Sequence, residues 1–167
     1  SCGCENEWIE FKLDNYEPHL IGEYISALSN SACLHKIKQG YLVFGIDNKC
    51  NLVGTNFEPK KEKGKGNENL ENWLSRLLNS RIDFEIICGD YKSKKIVVFK
   101  IDSAKKVPVG FEGIEYIRVG EYKKLLKDYP EKERKLWRTL NEVIFEEEIA
   151  LDKLEEKDLQ ELLNYPS

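Results

Sequence analysis

The chain has 167 residues, of which 41% are hydrophobic and 34% are charged, so it is long enough to bury a core of its own. No apolar run approaches the roughly 20 residues that a membrane-spanning helix needs, and no secretory signal pattern follows the N-terminus. Five cysteines without framework spacing favour a reducing environment. We therefore expect a cytoplasmic protein that makes no membrane contact.

Charge is unevenly distributed along the chain. The formal net charge is −4, which disfavours nucleic-acid binding by the surface as a whole. Residues 59–106, however, hold 12 Lys and Arg against 7 Asp and Glu, whereas residues 131–167 hold 6 against 11. The pattern indicates a basic segment within a near-neutral body, followed by an acidic tail.

The first elements follow from residue periodicity. The alternation in "EWIEFKL" predicts a strand that turns Ile9 and Phe11 to the core and Glu10 and Lys12 to the other face. A helical period begins at Pro18. The sequence "SNS" is predicted to end this helix.

A buried strand and three hairpin patterns follow. The apolar run "GYLVFGI" predicts a central strand, and "LVGTNF" predicts the strand that returns beside it. After a lysine-rich loop, a second helix is predicted from Asn67. The alternation then predicts a hairpin of "IDFEIICGDY" with "KKIVVFKID" and two short strands around residues 112–113. From Pro130 onward two helical stretches are predicted. This order predicts an α+β fold, a mixed twisted β-sheet with packed helices and a C-terminal helical extension.

Five blocks in this order resemble the divergent AlbA-type DNA-binding domain that is shared with the Schlafen proteins. They are "ENEWIEFK", "IGEYISALSNSA", "GYLVFGIDN", "LVGTNF" and "PVGFEGIEYIRVG". The resemblance covers residues 5–128 and implies a twisted mixed sheet with helices packed on it.

The resemblance also implies a role. In bacteria such domains typically stand at the N-terminus of transcriptional regulators and of helicase-related ATP-binding proteins. We therefore expect a DNA- or RNA-binding domain at residues 1–128. Residues 129–167 would form an acidic helical linker leading to a C-terminal ATPase or effector region. The sequence contains no G-x4-G-K-[ST] loop, so no ATP site and no other cofactor are expected here.

Three carboxylates offer an alternative, enzymatic interpretation. In nuclease-active Schlafen proteins two glutamates of an E-x4-E-F-K motif and a downstream aspartate form a metal-dependent site that cleaves structured RNA. The resemblance places these roles on Glu5, Glu10 and Asp47. Carboxylate oxygens suit Mg²⁺ or Mn²⁺, which can activate water, and Lys12 can offset phosphate charge. The competing interpretation is structural, with Glu10 paired to Lys12 and Asp47 capping a turn. The balance leans away from an enzyme.

Basic and aromatic residues predict where phosphates would bind. The favoured stretch is "YIRVGEYKKLLK", and a second candidate is the lysine-rich loop. Together with Lys12, the predicted contacts are Arg118, Tyr122, Lys123, Lys124, Lys127, Lys60 and Lys61. For Arg118 the alternative is a salt bridge to a nearby glutamate, and for the loop lysines it is simple solvation.

A third interpretation is a protein-interaction or dimerisation module. Leucines recur along the acidic tail at helical spacing and would form an apolar stripe that packs on a partner, on the following region of the same chain or on a second copy. The stripe consists of Leu151, Leu154, Leu159, Leu162 and Leu163.

Overall fold

The computed structural model describes residues 5–79 and 82–163, which form two sheets and three helices. The four strands of the larger sheet lie in the order β1-β2-β4-β3, and only the β1–β2 pair is parallel. These strands are β1 (Ile9–Lys12), β2 (Gln39–Phe44), β3 (Phe84–Tyr91) and β4 (Lys94–Asp102). The smaller, antiparallel sheet contains β5 (Gly110–Phe111), β6 (Ile114–Val119) and β7 (Tyr122–Leu125). The predicted α+β class is confirmed.

Helix α1 (Pro18–Leu34) contacts both sheets and is buried from Ile21 to its end except at Glu23. Its buried apolar side chains pack with those of both sheets in one core. Gly22 is required because a Cβ there would lie 2.4 Å from the ring of Phe111. The helix therefore occupies the centre of the domain.

The prediction that "SNS" ends α1 was wrong. Ser29, Asn30 and Ser31 are fully buried inside the helix, where their side chains bond the backbone of neighbouring segments. Asn30 accepts a hydrogen bond from Val109 N at 2.7 Å and donates to Val109 O and Tyr116 O at 2.9 and 2.8 Å. Small polar residues usually favour helix ends because they compete for backbone groups. Here their hydrogen bonds join the helix to the smaller sheet instead.

Two further predictions differ from the structure. The segment "LVGTNF" forms no strand, and an isolated bridge joins its Leu52 to Ile46 of the preceding segment. Gly45 turns the chain there with φ +110°, and Val53 N and Gly54 N both bond its carbonyl. The predicted β3–β4 hairpin is present, while β7 was not predicted as a strand.

Helices α2 (Leu70–Leu77) and α3 (Pro130–Leu163) complete the fold. Helix α2 begins behind the cap Asn69, two residues later than predicted, and α3 is one continuous helix where two were predicted. Leu136 and Leu140 of α3 are fully buried in the core. The core thus extends past residue 128, and the division there stays a prediction.

Beyond Leu140, the described side chains of α3 are mostly exposed, including Phe145, Leu151, Leu154 and Leu163. The side chains of Leu159 and Leu162 in the predicted stripe lie outside the described part. Among the helices described, none is both long enough and apolar enough to cross a membrane. Cys33 is buried and Cys88 exposed as free thiols.

Candidate nucleic-acid interface

The charged face of β1 points inward, not to solvent. Glu10 is only 5% exposed and forms an ion pair with Arg118 of β6, which is completely buried. Arg118 is further held because its backbone N–H donates to Ser31 Oγ at 3.0 Å. Ile9 and Phe11, predicted to build the core, are only half-buried. The strand alternates as predicted, but its faces are reversed.

Arg118 was predicted to contact phosphate, and this prediction was wrong because the side chain of Arg118 is completely buried. A guanidinium with no exposed surface cannot meet a ligand, and its partner Glu10 holds it in place. The alternative, a salt bridge to a glutamate, is what the structure shows. The Nε atom of Arg118 is buried without a hydrogen-bond partner among the described residues. Arg118 therefore has a structural role in the interior.

Two lysines from different sheets converge over the ring of Tyr24. The Nζ atoms of Lys12 and Lys123 lie 5.0 and 4.9 Å from the ring centroid, which is the distance of a cation–π contact. Lys12 lies 3.3 Å from Glu10, and Lys123 is paired with Glu23. Both lysine side chains remain partly exposed. We call Lys12, Lys123 and Tyr24 the tyrosine-lysine cluster.

The pKa values in this cluster reflect burial and charge together. Burial disfavours the ammonium form of Lys12, but Tyr24 and Glu10 outweigh it, so the pKa of Lys12 is raised. Burial and the charge of Glu10 likewise raise the pKa of Tyr24. Lys12 is therefore charged throughout the physiological range, as phosphate binding requires.

A second group of predicted residues lies on the exposed side of β7 and just after it. Successive strand residues point to opposite faces, so Tyr122 and Lys124 share one face while Lys123 turns inward to Tyr24. Lys124 Nζ lies 5.6 Å from the centroid of the Tyr122 ring, and Lys127 is exposed on the 3-10 turn that follows. A cation beside an exposed aromatic ring suits stacking with bases and contact with phosphate.

The loop lysines occupy a different surface. Lys60 and Lys61 are exposed in the loop between β2 and α2, and Lys61 lies 3.1 Å from Glu58. Their local surroundings are those of a solvated loop. The prediction that they bind phosphate stays a prediction.

The three predicted metal ligands have separate partners. Glu5 Oε1 accepts a hydrogen bond from Phe11 N at 2.9 Å, and Glu10 is paired with Arg118. Asp47 Oδ1 accepts from Lys49 N at 2.9 Å and Asn51 N at 2.8 Å, and bonds to Asn51 chiefly lower the pKa of Asp47. Among the described residues no group of three or more His, Cys, Asp or Glu is placed to hold a metal ion. Each of the three carboxylates is thus held by other protein groups, and their role as ligands for Mg²⁺ or Mn²⁺ stays a prediction.

Glu7 is a connecting residue that the sequence did not reveal. Its carboxylate lies 2.7 Å from His35 Nε2, accepts from Gly120 N at 2.8 Å and lies 3.3 Å from Lys132 Nζ. Partial burial raises the pKa of Glu7, but these partners outweigh it, so its pKa is lowered overall. The bonds link the ends of α1, β6 and α3 across long sequence separations, which local patterns cannot indicate.

The fold and this surface define a small α+β domain with a partly buried cationic cluster between two sheets. A family model described as Schlafen, AlbA_2 matches residues 5–127. Because the match spans most of the chain, the protein belongs to this family, and the predicted resemblance is confirmed.

The solved structures that are similar to the chain include the following two. The DIP2311 protein from Corynebacterium diphtheriae is 14% identical with a TM-score of 0.44, and the match covers 71% of this chain but only 22% of that one. The N-terminal domain of a RecG-related helicase protein from Nitrosomonas europaea is 21% identical with a TM-score of 0.45, covering 72% and 84%. No curated protein matches the chain.

Proposed function

We propose that this domain binds DNA or structured RNA by holding phosphates at the tyrosine-lysine cluster. The observation that carries the proposal is the convergence of Lys12 and Lys123, from two sheets, over one tyrosine ring. Arg118 supports the cluster from beneath with a third cation, 5.9 Å from the same ring centroid. Phosphate contacts by lysine supply most of the sequence-independent affinity for nucleic acid.

The local charge balance supports an anionic ligand. Three cations surround Tyr24, and their direct carboxylate partners are Glu10 and Glu23. The three cations and two carboxylates therefore leave one net positive charge at this site, although the protein as a whole is acidic. Tyr122, Lys124 and Lys127 extend the surface beyond the cluster. The same proposal places the domain in a bacterial, cytoplasmic transcriptional regulator or helicase-related protein. An ATPase or effector region would follow the domain, and the domain itself would use no cofactor.

The test compares the two lysine surfaces. Binding of labelled duplex DNA and structured RNA is measured by fluorescence anisotropy across a salt series for the wild type, Lys12→Gln/Lys123→Gln and Lys60→Gln/Lys61→Gln. Both double variants remove two charges, so net charge is matched. The variant Lys12→Gln/Lys123→Gln is expected to make the plot of log affinity against log salt less steep by about 2, since each lost phosphate contact reduces the steepness by about 1. The second is expected to change it less.

Thermal unfolding of both variants must show a folded protein before the slopes are compared. Equal slopes for the two variants, or binding that does not depend on salt, would contradict the proposal. A parallel series with Mn²⁺ tests the enzymatic alternative, because cleavage that disappears in Asp47→Asn would assign a nuclease role that the present geometry does not support.

A further inference from the structure

A histidine at the start of α1 lies beside the tyrosine-lysine cluster, and both nitrogens of its ring face a carboxylate. His19 Nε2 lies 3.6 Å from Glu23 Oε1, and His19 Nδ1 lies 3.5 Å from Glu112 Oε2. The ring also packs edge-on against Phe111, with 5.1 Å between the ring centroids. A carboxylate only accepts hydrogen bonds and a neutral imidazole carries one N–H, so only the imidazolium form of the ring can donate to both neighbours.

Glu23 connects this histidine to the cluster. One oxygen of its carboxylate faces His19, and the other is paired with Lys123. The side chains of Lys123 and Glu23 are only 16% and 19% exposed, so salt in the solvent screens this pair weakly. Lys123 Nζ also lies 5.7 Å from the centroid of the Tyr116 ring. Burial together with the charge of Glu23 raises the pKa of Tyr116, so this phenol stays neutral.

The two lysines of the cluster differ in how far their charge is already neutralised. Lys12 shares its carboxylate partner with Arg118, so two cations stand against one anion there. Lys123 is paired with Glu23, and this pair carries no net charge. A proton on His19 would supply Glu23 with a second cation. Lys123 could then leave Glu23 for a phosphate without leaving that carboxylate unpaired.

The other charged groups around His19 come from three segments. Glu112 lies in the turn between β5 and β6, and water screens its charge because its side chain is 41% exposed. Arg76 of α2 interacts electrostatically with Glu112 but is bonded to Glu68 at 2.8 Å. Glu17 precedes α1 and accepts a hydrogen bond from His19 N at 3.1 Å. The arginine and the lysine near this ring are thus both already paired with carboxylates.

We propose that His19 is a positioning residue of the phosphate site, which takes up a proton from solvent when nucleic acid binds and then holds Glu23 in place of Lys123. The inference rests on the proposed function of the tyrosine-lysine cluster. A phosphate at Lys123 is repelled by Glu23, and an imidazolium beside that carboxylate offsets the repulsion. Proton and phosphate therefore strengthen each other's binding. Histidine is the side chain whose charge ordinarily changes between about pH 5 and about pH 8, so affinity should rise as the pH falls through this range.

The pH profile of binding is the first test. The chain contains two histidines, and His35 lies beside Glu7 instead, so His35→Gln is the matched control for His19→Gln. Fluorescence anisotropy with labelled duplex DNA at constant ionic strength gives the ratio of the affinities at about pH 6 and about pH 8. The wild type and His35→Gln are expected to gain about fivefold in affinity at the lower pH, below the limit of about tenfold per pH unit for one proton. His19→Gln should gain less than about twofold.

Two carboxylate variants test whether the coupling passes through Glu23. Glu23→Gln and Glu112→Gln each remove one negative charge beside His19, so their net charges are matched. Because only Glu23 also restrains Lys123, Glu23→Gln is expected to bind duplex DNA more tightly than Glu112→Gln near the upper end of the pH range. Its affinity should also depend less on pH. Equal behaviour of the two variants would contradict the connection through Glu23.

Calorimetry of the wild type gives a readout that needs no variant. Titration with the same duplex in two buffers of different ionisation enthalpy counts the protons taken up on binding, and we expect a fraction of one proton near neutral pH. Salt-dependent binding without proton uptake, or with the same pH dependence in His19→Gln as in the wild type, overturns the role of His19 and leaves the phosphate site standing. Absence of binding at every pH overturns the proposed function and the role of His19 together.

Discussion

Similar charged and polar groups make similar bonds in the interior around α1 and on the surface around α2, but with different energetic weight. In the interior, Arg118 pairs with Glu10 and Asn30 bonds the backbone of Val109, all beyond the reach of solvent. On the surface, Arg76 lies 2.8 Å from Glu68 with both side chains solvated. Water competes with the exposed pair and replaces it at little cost, whereas a buried group that loses its partner has no substitute. Substitutions in the two regions should therefore change stability by very different amounts.

Arg118→Ala is expected to have the largest effect. It leaves Glu10 as a buried charge without its main partner, which typically costs about 3–5 kcal/mol in the free energy of unfolding. Urea denaturation of the wild type and the variant measures this loss.

The double variant Glu10→Gln/Arg118→Met supplies the control for this pair. It removes both charges, so it is expected to be more stable than Arg118→Ala alone. A single variant as stable as the wild type would show that the pair is solvated in solution and that the interior assignment is wrong.

Asn30→Ala is expected to cause the second-largest loss of stability. The substitution removes three hydrogen bonds and leaves Val109 N and Tyr116 O without the partner that Asn30 supplies, whereas Val109 O keeps its bond from Ser26 Oγ; the cost is about 1–3 kcal/mol. Urea denaturation gives the value, and Asn141→Ala on the exposed face of α3 is the matched control. Equal stability of the two variants would contradict the role of Asn30 as a link between α1 and the smaller sheet.

Glu7 lies between the interior and the surface, and its effect should depend on pH. Its pKa is lowered from 4.5, so the folded state releases this proton more readily than the unfolded state does. Its contribution to stability is therefore present above pH 4.5 and is lost as the pH falls through the lowered, folded-state pKa. Glu7→Gln should flatten the acid side of a plot of unfolding free energy against pH.

The exposed residue Glu121 provides a control for that measurement, because it stands beside the same Gly120 turn. Glu121→Gln is expected to leave the acid side of the curve in place. If both variants flatten it equally, the effect comes from overall charge and not from the bonds of Glu7.

Arg76→Ala should have the smallest effect. The Arg76–Glu68 pair is exposed, so its loss should leave the midpoint of thermal unfolding within experimental error in physiological salt. A clear loss of stability would mean that this surface pair contributes as the interior pairs do, and the comparison would fail.

The sequence was enough to predict many residues of the candidate surface, but not how they are arranged in space. The sequence identified Lys12, Lys123, Lys124 and Tyr122 as candidates, and the structure places two of them over Tyr24. It misjudged Arg118 because strand alternation divides residues into two faces without saying which face meets the core. It missed Glu7 because the partners of that carboxylate come from distant segments.

Local sequence patterns are sufficient to predict the local elements, because the periodicity of α1, the β3–β4 hairpin and the helix that begins at Pro130 are set by interactions between near neighbours. Tertiary structure alone decided that α1 continues through "SNS", because buried backbone groups of Val109 and Tyr116 needed the bonds that Ser26 and Asn30 supply. It also decided which charges are buried. Glu10 and Arg118 are 108 residues apart, and only the packing of both sheets against α1 brings them together.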